Sequence, residues 1–151
     1  MSGHASRWAR WRALTAEQRS VLLSAWCLLP LVWLALWTLG LPRLQVRMMA
    51  RAPGAGAPDL VRARDLGRAV NIAASLTPFP VTCLTRSLLL GWMLSRRGMA
   101  SELRIGVQLS QGVFKAHAWI ECEGVPVNDR ADVAADFAPF DDLGLVASFD
   151  R

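Results

Sequence analysis

Three residues of this chain have types and spacing that support nucleophilic chemistry: Cys83, His117 and Asp129. A cysteine attacks a carbonyl as its thiolate. It therefore needs surroundings that favour negative charge, a base to move protons and a third group to orient the base. Pro80 interrupts the chain just before Cys83. Thr82 or Cys83 then opens an apolar run, Leu84 to Leu94, which closes on Ser95-Arg96-Arg97-Gly98. The pattern predicts a helix with a cap at its start, arginines in its last turn and a glycine stop. Cys83 sits at that helix N-terminus, where the helix dipole and the free backbone N–H groups favour the thiolate.

The chain holds two histidines, His4 and His117. His4 belongs to a polar, arginine-rich lead-in. His117 belongs to Val113–Glu121, which reads as a strand. Glu123-Gly124 is a turn signal and Val125–Asp129 a second short strand, so the two runs predict a hairpin. With a three-residue loop and an even register, His117 and Asp129 lie directly opposite, their Cβ atoms about 4.5–5.5 Å apart. Asp129 can then hold one imidazole nitrogen while the other faces Cys83. Asp132 is the competing orienter, in which case Asp129 only shapes the turn. Each residue also has a plainer reading. A cysteine among apolar neighbours is usually inert core, the role expected of Cys27 and Cys122. A lone strand histidine is often structural.

At these residues the chain resembles the transglutaminase-like cysteine protease fold. Within that fold it is most similar to the leader peptidases of lasso-peptide biosynthesis, in the split form without a fused leader-recognition domain. The resemblance rests on the Cys83 helix with Cys83-Leu84-x-Arg86-Ser87, on Arg96-Arg97-Gly98, and on the strand Leu103–Leu109. It rests further on His117-Ala118-Trp119 and Asn128-Asp129, and covers roughly residues 15–149. It implies a papain-like α+β core, with a nucleophile helix packed on a small antiparallel sheet behind an apolar N-terminal helix. It also implies Cys83 as nucleophile, His117 as general base and Asp129 as orienting acid. The implied substrate is a ribosomally made precursor peptide, whose leader is removed. The implied partners are a separate small leader-binding protein and a separate ATP-dependent macrocyclase.

At 151 residues the chain is one functional domain by length. Three cysteines at irregular spacing argue against a disulfide framework and lack the pairing of a zinc site. A reducing cytoplasm suits a working thiolate. No phosphate-binding loop occurs, so ATP binding by this chain is not expected, and the site chemistry calls for no cofactor. The net charge is +5, and Lys115 is the only lysine. No nucleic-acid motif accompanies the arginines, so nucleic acid is not an expected partner. Arginine pairs well with carboxylates, which suits an acidic peptide or partner.

In chain order, residues 1–51 hold the lead-in and the apolar helix, 52–58 a Pro/Gly/Ala linker and 59–151 the core. Thr15-Ala16-Glu17-Gln18 predicts a capping box. Val21–Leu41 carries no charge and is long enough to span a membrane, but Pro30 interrupts it and arginines flank both ends. It is expected either to be buried or partner-facing, or to associate with a membrane. Asp59 caps a helix from Leu60 to about Leu76. Trp92 and Trp119 line a groove or, more in keeping with their type, pack the core. The tail, Ala131–Arg151, mixes aspartates with phenylalanines and reads as loop or short helix covering a sheet edge. The same three site residues would serve a transamidase, in which an amine resolves the thioester. A non-catalytic membrane-associated module built on Val21–Leu41 is the reading outside enzymology.

Overall fold

The computed structural model describes residues 15–48, 57–110 and 112–139. The lead-in, most of the linker and the end of the tail lie outside the described residues. Helix α1 (Ala16–Leu39) opens on the expected capping box. Thr15 Oγ1 accepts from the Gln18 N–H at 3.1 Å, and Gln18 Oε1 accepts from the Thr15 N–H at 2.9 Å. Pro30 lies inside the helix without ending it, and Gly40, at φ 74°, ends it. Helix α2 (Leu41–Met48) follows at once.

Helix α1 buries a single stripe: Val21, Leu22, Ala25, Leu29 and Val32. That stripe joins one core with α3 (Leu60–Ser75) and α4 (Cys83–Ser95). In α4, Leu88, Leu89, Leu90 and Leu94 are fully buried. The two halves on either side of the linker therefore share one core. Asp59 caps α3 by accepting from the Arg62 N–H at 3.1 Å. The Arg62 guanidinium reaches back to Glu17 on α1 at 3.0 Å.

Strands β1 (Glu102–Ser110) and β2 (Val113–Cys122) form the antiparallel centre of the sheet. The second half of the expected hairpin is shorter than the sequence suggests. Only Val125–Pro126 pair as β3, because the chain turns out of the ladder at Val127. After a short helix α5 (Val133–Asp136), residues Ala138–Pro139 add β4 beside β1, opposite Gly106 and Val107. The sheet order is β3-β2-β1-β4. The sequence predicted three strands; the fourth comes from the tail, which covers the β1 edge as expected. Side chains alternate along β2. Ile120 and Cys122 join the helical core, while His117 and Trp119 meet Phe137 on the other face.

Candidate active site

The loop 76–82 delivers Cys83 to the first position of α4. Thr82 is the cap: its Oγ1 accepts from the Thr85 N–H at 3.2 Å and pairs with the Thr85 hydroxyl at 2.9 Å. The Arg86 N–H reaches the Thr82 carbonyl at 3.2 Å. The amides of Cys83 and Leu84 have no acceptor among the described residues, as the first N–H groups of a helix do not. Cys83 itself is partly buried.

His117 and Asp129 meet directly. Nε2 of His117 lies 2.5 Å from Asp129 Oδ2, with both side chains about three-quarters buried (25% and 24% exposed). Asp129 Oδ1 accepts from the Arg130 N–H at 2.8 Å, which fixes the carboxylate plane. With Nε2–H directed at the carboxylate, Nδ1 is the ring nitrogen left for chemistry. Phe137 packs on the imidazole at 5.2 Å between centroids, and Trp119 stacks on it at 6.0 Å. Gly106 faces His117 across the β1–β2 ladder. A Cβ there would lie 2.7 Å from the Phe137 Cβ, so a bare backbone is what lets Phe137 close over the ring.

The pair forms by a different route from the one the sequence suggested. The loop is Glu123-Gly124, two residues with φ of 51° and 76°, the positive values of a type I′ hairpin turn. Glu121 therefore pairs with Pro126 and Cys122 with Val125. Continued to the end, this register would set Asp129 on the sheet face away from His117. The ladder breaks instead. The Val127 N–H still donates to the Ile120 carbonyl at 3.0 Å. The Ile120 N–H donates to Asn128 Oδ1 at 2.8 Å, so a side chain takes the place of a strand carbonyl. The Val127 carbonyl is turned toward α3 and packs over Gly67, where a Cβ would lie 2.2 Å from that oxygen. Asn71, one turn further along α3, donates from Nδ2 to the Asn128 carbonyl at 2.9 Å. These contacts swing Asp129 onto the imidazole.

Asn128 also ties the pair to the cysteine helix. Its Nδ2 donates to Ser87 Oγ at 3.1 Å, and the buried Ser87 hydroxyl donates to the Ala118 carbonyl at 3.0 Å. Ser87 lies one helical turn from Cys83, on the same side of α4. Ala118 is next to His117. One buried hydroxyl thus sets the height of the cysteine helix against the histidine strand. Among the described residues no hydrogen bond joins Cys83 to His117. In free enzymes such catalytic contacts commonly tighten only around a substrate. Sequence reasoning assigned Asn71 and Gly67 no site role, placed Phe137 only in the tail, and carried Ser87 only within the Cys83-Leu84-x-Arg86-Ser87 motif. The one local signal was Ser87, at i+4 from the cysteine.

The remaining candidates separate cleanly. Asp132 pairs with Arg130 at 3.5 Å and is well exposed, with no bond to His117 among the described residues. Cys122 is fully buried, and burial, then the nearby Glu123 charge, push its thiol up to about 11. Cys27 departs from expectation: it is exposed on the outer side of α1 rather than in the core. Trp119 is core, 3% exposed, with its indole N–H on Glu121 at 2.8 Å. Trp92 is partly buried beneath the Arg96 guanidinium. A groove of about 610 Å³ runs between α3 and residues 127–130 and is bordered by Asp129. Two of its arginines, Arg68 and Arg130, are already paired with aspartates.

No curated protein and no solved structure matches the chain. A family model described as the transglutaminase-like superfamily matches residues 25–141, well over half of the chain and all of the cysteine helix, the histidine strand and Asp129. With its α+β architecture, small antiparallel sheet and apolar N-terminal helix, the chain belongs to the transglutaminase-like superfamily.

Proposed function

We propose that the protein is a cysteine endopeptidase that removes the leader from a ribosomally made lasso-peptide precursor. Cys83 is the nucleophile, His117 the general base and acid, and Asp129 the orienting carboxylate. The observation that carries this reading is the direct His117–Asp129 hydrogen bond, on a strand that Ser87 ties to the helix beginning at Cys83. The narrower assignment to leader peptides is supported by the resemblance at Cys83-Leu84-x-Arg86-Ser87, His117-Ala118-Trp119 and Asn128-Asp129.

Chemically, His117 Nδ1 takes the Cys83 proton, and Sγ adds to the scissile carbonyl carbon. The resulting oxyanion is placed at the start of α4, where the Cys83 and Leu84 amides have no other acceptor among the described residues and can donate to it. Collapse breaks the C–N bond, and His117 hands its proton to the leaving amine, the new N-terminus of the core peptide. Water, deprotonated by His117, then splits the thioester and frees the leader as a carboxylic acid, restoring the thiol. Asp129 supports the imidazolium in each half-reaction without itself taking the proton. A separate leader-binding protein presents the precursor, and the freed core N-terminus passes to an ATP-dependent macrocyclase. The setting is cytoplasmic, where the thiol stays reduced.

The test is reconstituted cleavage of precursor in the presence of the leader-binding partner, read by mass spectrometry. Wild type should yield two fragments whose masses sum to the precursor plus one water. Cys83→Ala should yield none while keeping its fold, and Cys27→Ala and Cys122→Ala should retain most turnover. An active Cys83→Ala protein would remove the mechanism. A product joined to an amine, with loss of ammonia, would make the enzyme a transamidase instead.

A further inference from the structure

We infer that the outer face of α1 seats on an anionic membrane surface, lying in the plane of the bilayer rather than crossing it. Opposite its buried stripe, α1 exposes Leu23 (51%), Leu34 (54%) and Trp37 (78%). From Val21 to Leu39 no charged residue interrupts that face. The apolar surface continues onto the neighbouring segments. The Trp26 indole N–H donates to the Leu76 carbonyl at 3.4 Å, Leu76 is itself 42% exposed, and Trp33 packs on Phe79 at 6.3 Å. It ends at the loop that leads into Cys83.

By length and composition alone α1 could cross a membrane, with a mean hydropathy of 2.0 over 18 residues. Its packing argues against crossing. Ala25 and Leu29 are fully buried against the domain, so insertion would tear α1 from the core. An in-plane helix needs only one apolar side, with a polar body behind it. Here the folded domain is that body. Trp26, Trp33 and Trp37, spaced by seven and four, lie along one edge of the face. Indoles favour the headgroup level, where one end is apolar and the other wet.

Charge selects the kind of membrane. No acidic residue occurs between Glu17 and Asp59, whereas Arg19, Arg43, Arg47 and Arg51 do. Arg43 and Arg47 are exposed on α2, directly after α1, and have no acidic partner among the described residues. A protein partner fits this face less well. Specific interfaces carry about one hydrogen bond per 100–200 Å². The Thr38 hydroxyl is already spent on the Leu34 and Ala35 carbonyls at 3.1 and 3.3 Å. Ser24, the weakly bonding Cys27 thiol and the Trp33 and Trp37 indole N–H groups are what α1 has left there, whereas lipid tails ask for no hydrogen bonds.

The experiment is co-sedimentation of the full chain with vesicles of phosphatidylcholine alone or of phosphatidylcholine and phosphatidylglycerol at 7:3. Binding should be roughly tenfold tighter to the anionic vesicles, weaken in high salt and be released by alkaline carbonate. Leu34→Gln with Trp37→Gln should abolish it, and Arg43→Gln with Arg47→Gln should erase the preference for phosphatidylglycerol. Thermal melts should show both double variants folded, since all four side chains are exposed. Absence of vesicle binding overturns the inference. If the protein is then a dimer that the first double variant splits, the occupant is a second copy. Equal binding to neutral vesicles overturns the anionic assignment, and resistance to carbonate overturns the in-plane placement. None of these readouts requires catalysis, so a negative result leaves the peptidase reading standing, and an inactive enzyme leaves this inference standing.

Discussion

An imidazole bonded to a carboxylate through Nε2 has one nitrogen left, and at His117 that nitrogen is Nδ1. In the proposed mechanism Asp129 is the group that orients this ring. Replacing Asp129 with Asn keeps the size and one acceptor but removes the charge. Turnover of Asp129→Asn should fall by a factor on the order of 10² to 10⁴, with leader binding nearly unchanged. Asp132→Asn alters an exposed partner of Arg130 and should stay within about twofold of wild type. Steady-state cleavage by the two variants side by side checks this. A collapse in Asp132→Asn with near-normal Asp129→Asn would make Asp132 the orienter.

Between the residues stand the elements, and here the informative contact is α3 against the strand exit at Val127. Gly→Ala inside a helix usually stabilises by about 1 kcal/mol, because glycine is a poor helix former. Gly67→Ala should do the reverse. Its Cβ would lie 2.2 Å from the Val127 carbonyl oxygen, which is backbone and cannot rotate aside. The loop must shift, loosening the Asn71–Asn128 bond and moving Asp129. The expected cost is about 1–3 kcal/mol of stability, together with reduced turnover, read by thermal melt and by kcat. A raised Tm in Gly67→Ala would show that the close approach does not govern the site.

At the scale of the whole molecule, α1 is a structural wall of the domain. Val21, Leu22, Leu29 and Val32 are each under 10% exposed. Burial of side chains of this size contributes about 1.5–3 kcal/mol apiece, a sum comparable with the roughly 5–15 kcal/mol that holds a domain folded. Removal of residues 1–41 should therefore leave no folded protein, as judged by circular dichroism and amide dispersion in NMR. A truncated chain that stays folded and active would mean that the helix is only an attachment.

Features that rest on local interactions were legible before the fold was known. The Thr15 and Thr82 caps, the Asp59 cap and the stop after Ser95 all rest on neighbours within a few residues. The pairing of His117 with Asp129 was legible as an identity and not as a geometry. The real turn has two residues, and its register would have parted them. What rejoins them is Asn128 replacing a ladder carbonyl and Gly67 admitting Val127, a contact spanning 60 residues that no local pattern encodes. The apolar run of α1 likewise has no charged residue to mark its outer side, so the sequence does not distinguish Cys27, which lies outside the core, from a core cysteine. Only the docking of α3 and α4 selects the buried stripe. β4 and the contact of Phe137 with His117 were not legible for the same reason: two strand residues ending in a proline carry no periodicity, and they gain their place solely from the open edge of β1.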